Sequence, residues 1–216
     1  GVRVEVVRLE KAVHRDGSDA PQDSLLPERF VPADDEFRTI SAQVLEGKKG
    51  DLVRARALYD HTIDRMRYMK FGKGWGKGDA VYACDSKSGN CTDFHSYFIA
   101  LARAAGIPAR FAIGVAIPSE RNDGGIDGYH CWAEFYTKEL GWSPVDASEA
   151  SKDRTRQDYF FGALCENRVQ FTIGRDLVLS PKQAGDPLNF FIYPYVEVDG
   201  KPFKDGVTKK FTFKDT

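Results

Sequence analysis

The chain has 216 residues, and 42% of them are hydrophobic, which is enough for one substantial domain and argues against global disorder. Its 31 Lys and Arg residues nearly balance its 32 Asp and Glu residues, which leaves a net charge of -1. This balance argues against a protein that binds nucleic acid or a membrane surface through bulk charge. No apolar run approaches the roughly 20 residues that a membrane-spanning helix needs.

The first 70 residues predict one strand and two helices. Valines alternate with charged residues over 2–6, which is typical of a strand, and the proline-containing segment 14–34 is predicted to be a loop. Asp34 can cap a short helix that Gly47 ends, and Asp51 can cap a second helix. The apolar residues of this second helix share one face. They are Leu52, Ala55, Tyr59, Ile63 and Met66.

A run in which glycine alternates with larger residues, FGKGWGKG, occupies positions 71–78. It superficially resembles a phosphate-binding loop, but it follows a predicted helix rather than a strand and lacks the GK[ST] sequence that would open a helix. We therefore predict an irregular loop. Because glycine is conformationally free, we expect this loop to form an open and mobile rim.

The next segments predict a helix followed by strands. Asn90 precedes a helix over about 91–105, and alternating apolar residues over 111–117 predict a buried strand. A polar, glycine-rich loop is predicted at 118–128. Strands are then predicted at 129–136 and 142–146, around a turn that contains Gly141.

Strand-like stretches continue in the tail, at 169–179, 190–198 and 209–213. Pro194 would confine the second of these stretches to a sheet edge or a bulge. Helices first and strands later predict an α+β fold rather than an alternating α/β fold.

The four cysteines are Cys84, Cys91, Cys131 and Cys165. An even number of cysteines allows two disulfides, but their spacing does not match the pattern of a disulfide framework. The redox state of the four cysteines therefore stays open. No CxxC pair is present, which disfavours structural zinc, and we expect no metal or cofactor. Cys91 falls where a loop meets a helix N-terminus, a position that favours a thiolate and offers backbone N–H groups to an oxyanion. The alternative is a small buried hydrophobic residue.

His130 and Asp146 are candidate partners of Cys91. If their strands pair around a turn near residues 138–139, the residue numbers of opposed residues add up to about 277, within one residue of register. His130 and Asp146 add up to 276, so they would be direct cross-strand neighbours. Their hydrogen bond would orient the imidazole towards the thiol. His95, one helical turn after Cys91, is a competing base, but no carboxylate is placed to orient it, so we favour His130.

Four segments resemble the core of the transglutaminase-like superfamily in residues, order and spacing. They are GNCTDF at 89–94, RAAGIPAR at 103–110, HCWAEFY at 130–136 and GWSPVD at 141–146. In the tail, NRV at 167–169 and GRD at 174–176 resemble a bacterial branch of the superfamily.

The resemblance implies a papain-like α+β fold, in which a helix that carries the nucleophile packs against an antiparallel sheet that carries His and Asp. We expect an N-terminal strand and loop extension at 1–33, a catalytic core at 34–155 and a β-rich extension packed on the core at 156–216. The chain shows no EF-hand-like loop, so calcium dependence is not carried over from the animal transglutaminases.

The resemblance also implies a Cys-His-Asp triad that acts on peptide or glutamine-type amides through a thioester. With water as acceptor the enzyme is a cysteine peptidase or amidase, which we favour because a compact core lacks the accessory domains of the cross-linkers. With an amine as acceptor it is a transglutaminase, and a third interpretation is a catalytically silent binding module. Trp75, Tyr82 and Asn90 are candidates for holding the oxyanion or the substrate.

A protein or peptide is the expected substrate, and the motifs specify no oligomeric state. The chain starts at Gly1 rather than Met. From this start and the habits of the family we expect a periplasmic or secreted location, with a cytoplasmic location as the alternative.

Overall fold

A computed structural model describes residues 2–10, 22–203 and 206–215. The helices in the described residues are α1 (Asp35–Val44), α2 (Asp51–Arg65), α3 (Ala80–Ser86), α4 (Cys91–Ala104) and α5 (Ala147–Lys152), with 3-10 turns at Gln22–Leu25 and Arg154–Arg156. The strands are β1 (Arg67–Tyr68), β2 (Ser88–Gly89), β3 (Ala109–Ala116), β4 (Asp123–Ile126), β5 (His130–Thr137), β6 (Gly141–Val145), β7 (Arg168–Ile173), β8 (Glu197–Val198), β9 (Lys201–Pro202) and β10 (Phe211–Lys214).

Helix α4 lies at the centre of the molecule. Asn90 caps it as predicted, and with Asp93 it forms a reciprocal capping box that satisfies the N–H groups of Thr92 and Asn90. Every residue from Cys91 to Ala102 is buried, because α4 contacts other helices on one side and the sheet on the other. The buried residues after Ser96 are almost all apolar, whereas the first two turns also bury Thr92, Asp93, His95 and Ser96.

The main sheet has four antiparallel strands in the order β6-β5-β3-β7. Alternation along β5 directs Cys131, Ala133 and Phe135 into the main core, towards α4. By the same alternation His130, Trp132 and Glu134 belong to the opposite face. The α+β fold, with its cysteine-bearing helix packed on an antiparallel sheet, is therefore confirmed.

Some elements differ from the predictions. Residues 2–6 form no strand, and Val2 is 93% exposed, because no neighbouring strand pairs with the segment within the described residues. The predicted loop at 14–34 falls partly on residues 11–21, outside the described residues. Asp51 is the first residue of α2 rather than its cap, which is Gly50.

Short elements held by tertiary contacts were not predicted. They are α3, α5 and β4, and β4 lies inside the predicted loop 118–128 and pairs with β10. The tail is more irregular than its apolar pattern suggested: β7 stops at Ile173, and only Glu197–Val198 of the stretch 190–198 is a strand. The division into a core with two extensions stays a prediction.

Candidate active site

Cys91 is the first residue of α4, and the capping box fixes the start of this helix. The Asn90 side chain accepts a hydrogen bond from the Thr92 N–H at 2.9 Å, and the Asp93 carboxylate accepts one from the Asn90 N–H, also at 2.9 Å. Backbone N–H groups in the first helical turn have no carbonyl of their own helix as partner. The Cys91 N–H therefore has no carbonyl partner within α4, and its role as an oxyanion donor stays a prediction.

His130 and Asp146 form a short hydrogen bond of 2.6 Å between Nε2 and Oδ2. They are not direct cross-strand neighbours, however. Ala133 lies opposite Val145, so the residue numbers of opposed residues add up to 278 rather than to about 277. Asp146 follows the last residue of β6. Both side chains still lie on the same face of the sheet, where diagonal neighbours can meet.

The Asp146 carboxylate is fully buried and has partners on both oxygens. Its Oδ1 accepts hydrogen bonds from the Ser148 hydroxyl at 2.9 Å and from the Glu149 N–H at 3.0 Å, which caps α5. Its Oδ2 accepts from His130 and, at 3.4 Å, from Nη2 of Arg168. Since these contacts fix its position, Asp146 can orient the imidazole.

The three groups shift one another's protonation. A hydrogen bond from Cys131 and the hydrogen bond and charge of His130 hold the pKa of the Cys91 thiol well below its usual value, although burial opposes this. Burial also disfavours the imidazolium, yet Asp146 and Cys91 outweigh it and raise the pKa of His130 to about 9. Burial would raise the pKa of Asp146, but the charge of His130 holds it well below its usual range. Both shifts favour a thiolate–imidazolium pair over a neutral thiol and a neutral imidazole.

His95 is held differently from His130. Its Nε2 accepts the Ala147 N–H at 3.1 Å, so this nitrogen carries no proton. Its ring also bonds to the backbone of Cys91, and complete burial lowers its pKa, which keeps it neutral. Both contacts are those of a histidine that fixes the junction of β6 and α5 to α4.

Two neighbours of Cys91 were not predicted as site residues. Burial and the negative charge of Cys91 raise the pKa of Cys131 well above its usual value, so Cys131 is a neutral thiol that donates to the Cys91 thiolate. The Tyr129 hydroxyl bonds to the Asn90 amide at 3.2 Å and to the Thr92 hydroxyl at 3.1 Å. Cys131 and Tyr129 are adjacent to His130 in the sequence, and this adjacency was the signal from which they could have been predicted as site residues. All four cysteines of the chain are free thiols.

Residues 76–78 of the glycine-rich loop are held in place by charged groups, so the expectation of a mobile rim is wrong for them, whereas residues 71–73 are exposed. The Asp93 carboxylate accepts the N–H groups of Gly76 at 2.7 Å and Gly78 at 2.9 Å. From the tail, Arg175 donates to the carbonyls of Lys77 at 2.9 Å and Gly78 at 2.6 Å. The glycines allow the carboxylate and the guanidinium to approach the backbone, and a Cβ at Gly78 would lie 2.6 Å from a methyl group of Thr92.

The three oxyanion or substrate candidates have different environments. Asn90 is committed to capping α4 and to its bond with Tyr129. Tyr82 packs its ring against Gly74, where a Cβ would lie 2.8 Å from the ring. Trp75 is half-buried in the pinned loop. No hydrogen bond or ring contact within the described residues joins Trp75 or Tyr82 to Cys91, and the roles of all three stay predictions.

The family is identified by sequence. The model of the transglutaminase-like superfamily matches residues 38–147, which is half of the chain and includes Cys91, His130 and Asp146. The chain therefore belongs to the transglutaminase-like superfamily.

The chain is also similar to individual proteins. An "Uncharacterized protein" of Haemophilus influenzae is 30% identical in an alignment that covers 89% of this chain and 61% of that protein. The chain thus spans about three fifths of the length of this relative. A solved structure named "Putative Cysteine Protease" from Cytophaga hutchinsonii has a TM-score of 0.54 at 20% identity, covering 76% of this chain and 51% of that one. The periplasmic domain of TgpA from Pseudomonas aeruginosa, at 22% identity, covers 62% of this chain and 49% of that one with a TM-score of 0.46.

No helix within the described residues is long and apolar enough to cross a membrane.

Proposed function

We propose that the protein is a thiol acyl-transfer enzyme in which Cys91 is the nucleophile, His130 the general acid and base, and Asp146 the residue that orients His130. The observation that carries the proposal is the buried 2.6 Å bond between His130 Nε2 and Asp146 Oδ2, beside a thiol at a helix N-terminus. Because Nε2 is bonded to the carboxylate, Nδ1 is the ring nitrogen left to exchange a proton with the thiol.

The reaction begins with attack of the Cys91 thiolate on an amide carbonyl. The Cys91 N–H stabilises the tetrahedral oxyanion, and the His130 imidazolium protonates the leaving amine, which yields a thioester. Neutral His130 then removes a proton from the acceptor as it attacks the thioester carbonyl. Cys91 leaves as thiolate, and the site returns to its starting charge.

The nucleophile assignment is tested with iodoacetamide at pH 6 and peptide mapping. Cys91 should react far faster than Cys84, Cys131 or Cys165, because its pKa is lowered at a helix start beside an imidazole. Cys91→Ser is the matched control and should abolish the fast phase without changing the slow ones. Equal slow labelling of all four cysteines would contradict catalysis and favour a silent binding module.

For the acceptor we favour water, which makes the enzyme a peptidase or amidase acting on a protein or peptide. The neighbour from Cytophaga hutchinsonii carries a cysteine protease name, which supports this choice. One observation favours the alternative of a transamidase. Asp93 and Arg175 pin the loop that contains Trp75, and a rigid aromatic wall is what excludes water from a thioester.

The acceptor is tested by incubating the enzyme with peptide libraries, including glutamine-containing peptides, in the presence and absence of a fluorescent primary amine. Mass spectrometry should detect mainly cleaved or deamidated peptides, even in excess amine. Products that carry mainly the amine would overturn hydrolysis and make the protein a transglutaminase. Cys91→Ser serves as the control for both products.

A further inference from the structure

Arg168 lies on the same side of the sheet as His130 and close to the same carboxylate. In the register of β3 with its two neighbours, Gly114 opposes His130, and Ala116, two residues further on, opposes Arg168. The arginine is only 8% exposed. Its Nη2 lies 3.4 Å from Oδ2 of Asp146, the oxygen that His130 also contacts.

The contacts of Arg168 differ from those of a structural arginine. Arg175 of the tail is clamped by two backbone carbonyls and by the side chains of Ser96 and Asn189. Within the described residues, by contrast, the guanidinium of Arg168 bonds only to Asp146, and its buried Nε has no partner. A buried cation directed at one carboxylate acts mainly through its charge.

We infer that Arg168 is a positioning residue of the proposed site. Its cation keeps Asp146 ionised and weakens the electrostatic attraction between Asp146 and the His130 imidazolium. This inference rests on the proposed function, because it gives Arg168 a role in setting the protonation of the proposed base. Without Arg168, Asp146 would bind the imidazolium too firmly for His130 to give up its proton readily to the leaving amine.

The sign of the effect follows from the surrounding charges. The charged and titratable groups close to His130 are Cys91 and His95 from α4, Asp146 at the start of α5 and Arg168 from β7, and Cys131 follows His130 on β5. Among these, Arg168 is the permanent cation. Since Arg168 and His130 contact the same oxygen, at 3.4 and 2.6 Å, their nitrogens are at most about 6 Å apart. Like charges at that distance repel, so removing Arg168 should raise the pKa of His130, by on the order of one unit after relaxation.

The test is an NMR titration of the His130 ring in the Cys91→Ala background, which removes the coupled thiol. Arg168→Gln should raise the pKa of His130 by about one unit, and Arg168→Lys, which keeps a cation, should leave it near the parent value. Arg110→Gln is the matched control, because Arg110 lies on the same face, pairs with Glu134 at 2.6 Å and belongs to the other end of β3. His130→Ala identifies the resonance.

An unchanged or lowered pKa in folded Arg168→Gln, with folding verified by circular dichroism, would overturn the inference and leave Arg168 a structural residue. If Arg168→Gln does not fold, a rise of one unit in Arg168→Lys would overturn it equally, and retention of the parent value would support it. The titration needs no turnover. A raised pKa in a protein without thiol reactivity would therefore refute the proposed function and not the role of Arg168.

Discussion

Replacing His130 with alanine removes the imidazolium that stabilises the Cys91 thiolate. Opposite charges in contact at about 4 Å attract by about 4 kcal/mol at an effective dielectric of about 20, which corresponds to about three pKa units. The hydrogen bond from Cys131, the largest cause of the lowered thiol pKa, remains in the variant. Because relaxation around the vacated site recovers part of the lost attraction, we expect the pKa of Cys91 to rise by about two units.

Such a shift reduces the thiolate fraction at pH 6 by up to about 100-fold. The more basic thiolate is more nucleophilic by about six- to tenfold, so the net loss of reactivity is about tenfold. The assay is the rate of iodoacetamide incorporation at Cys91 at pH 6, measured by mass spectrometry. His95→Gln is the control, because a glutamine carbonyl can still accept the Ala147 N–H, and its rate should change by less than about threefold. A folded His130→Ala protein that reacts at the parent rate, or a slower His95→Gln, would refute the assignment of the base.

The other predictions concern the carboxylate, the pH dependence and the glycine loop. Asp146→Asn should keep its fold by circular dichroism but lose on the order of 10² or more in turnover of any substrate, because the imidazole loses its orientation; full activity would reduce Asp146 to a helix cap. Turnover should fall as pH rises through about 9, where His130 loses the proton it gives to the leaving amine, whereas iodoacetamide labelling, which needs no proton donor, should not fall. Gly78→Ala should lower the melting temperature by at least about 3 °C more than Gly72→Ala. Both positions have positive φ, but only at Gly78 would a Cβ meet a neighbouring atom, at 2.6 Å. Equal shifts of the melting temperature would mean that the loop is not tightly packed at Gly78.

The sequence alone determined the central helix, the antiparallel strands and the superfamily. Local signals carried these predictions: Asn90 before an apolar helix, alternation in β5, and four motifs in fixed order. The expected location outside the cytoplasm and the catalytic roles of the triad stay predictions.

Only the tertiary structure decided how the site is held. The final register of β5 and β6 depends on how the turn closes, so the diagonal meeting of His130 and Asp146 was not available from spacing alone. The glycine loop is immobilised by Asp93 and by Arg175. Arg168 reaches Asp146 from 22 residues further along the chain. No local pattern predicts such contacts, because a buried charge finds its partner through packing between distant segments rather than through sequence proximity.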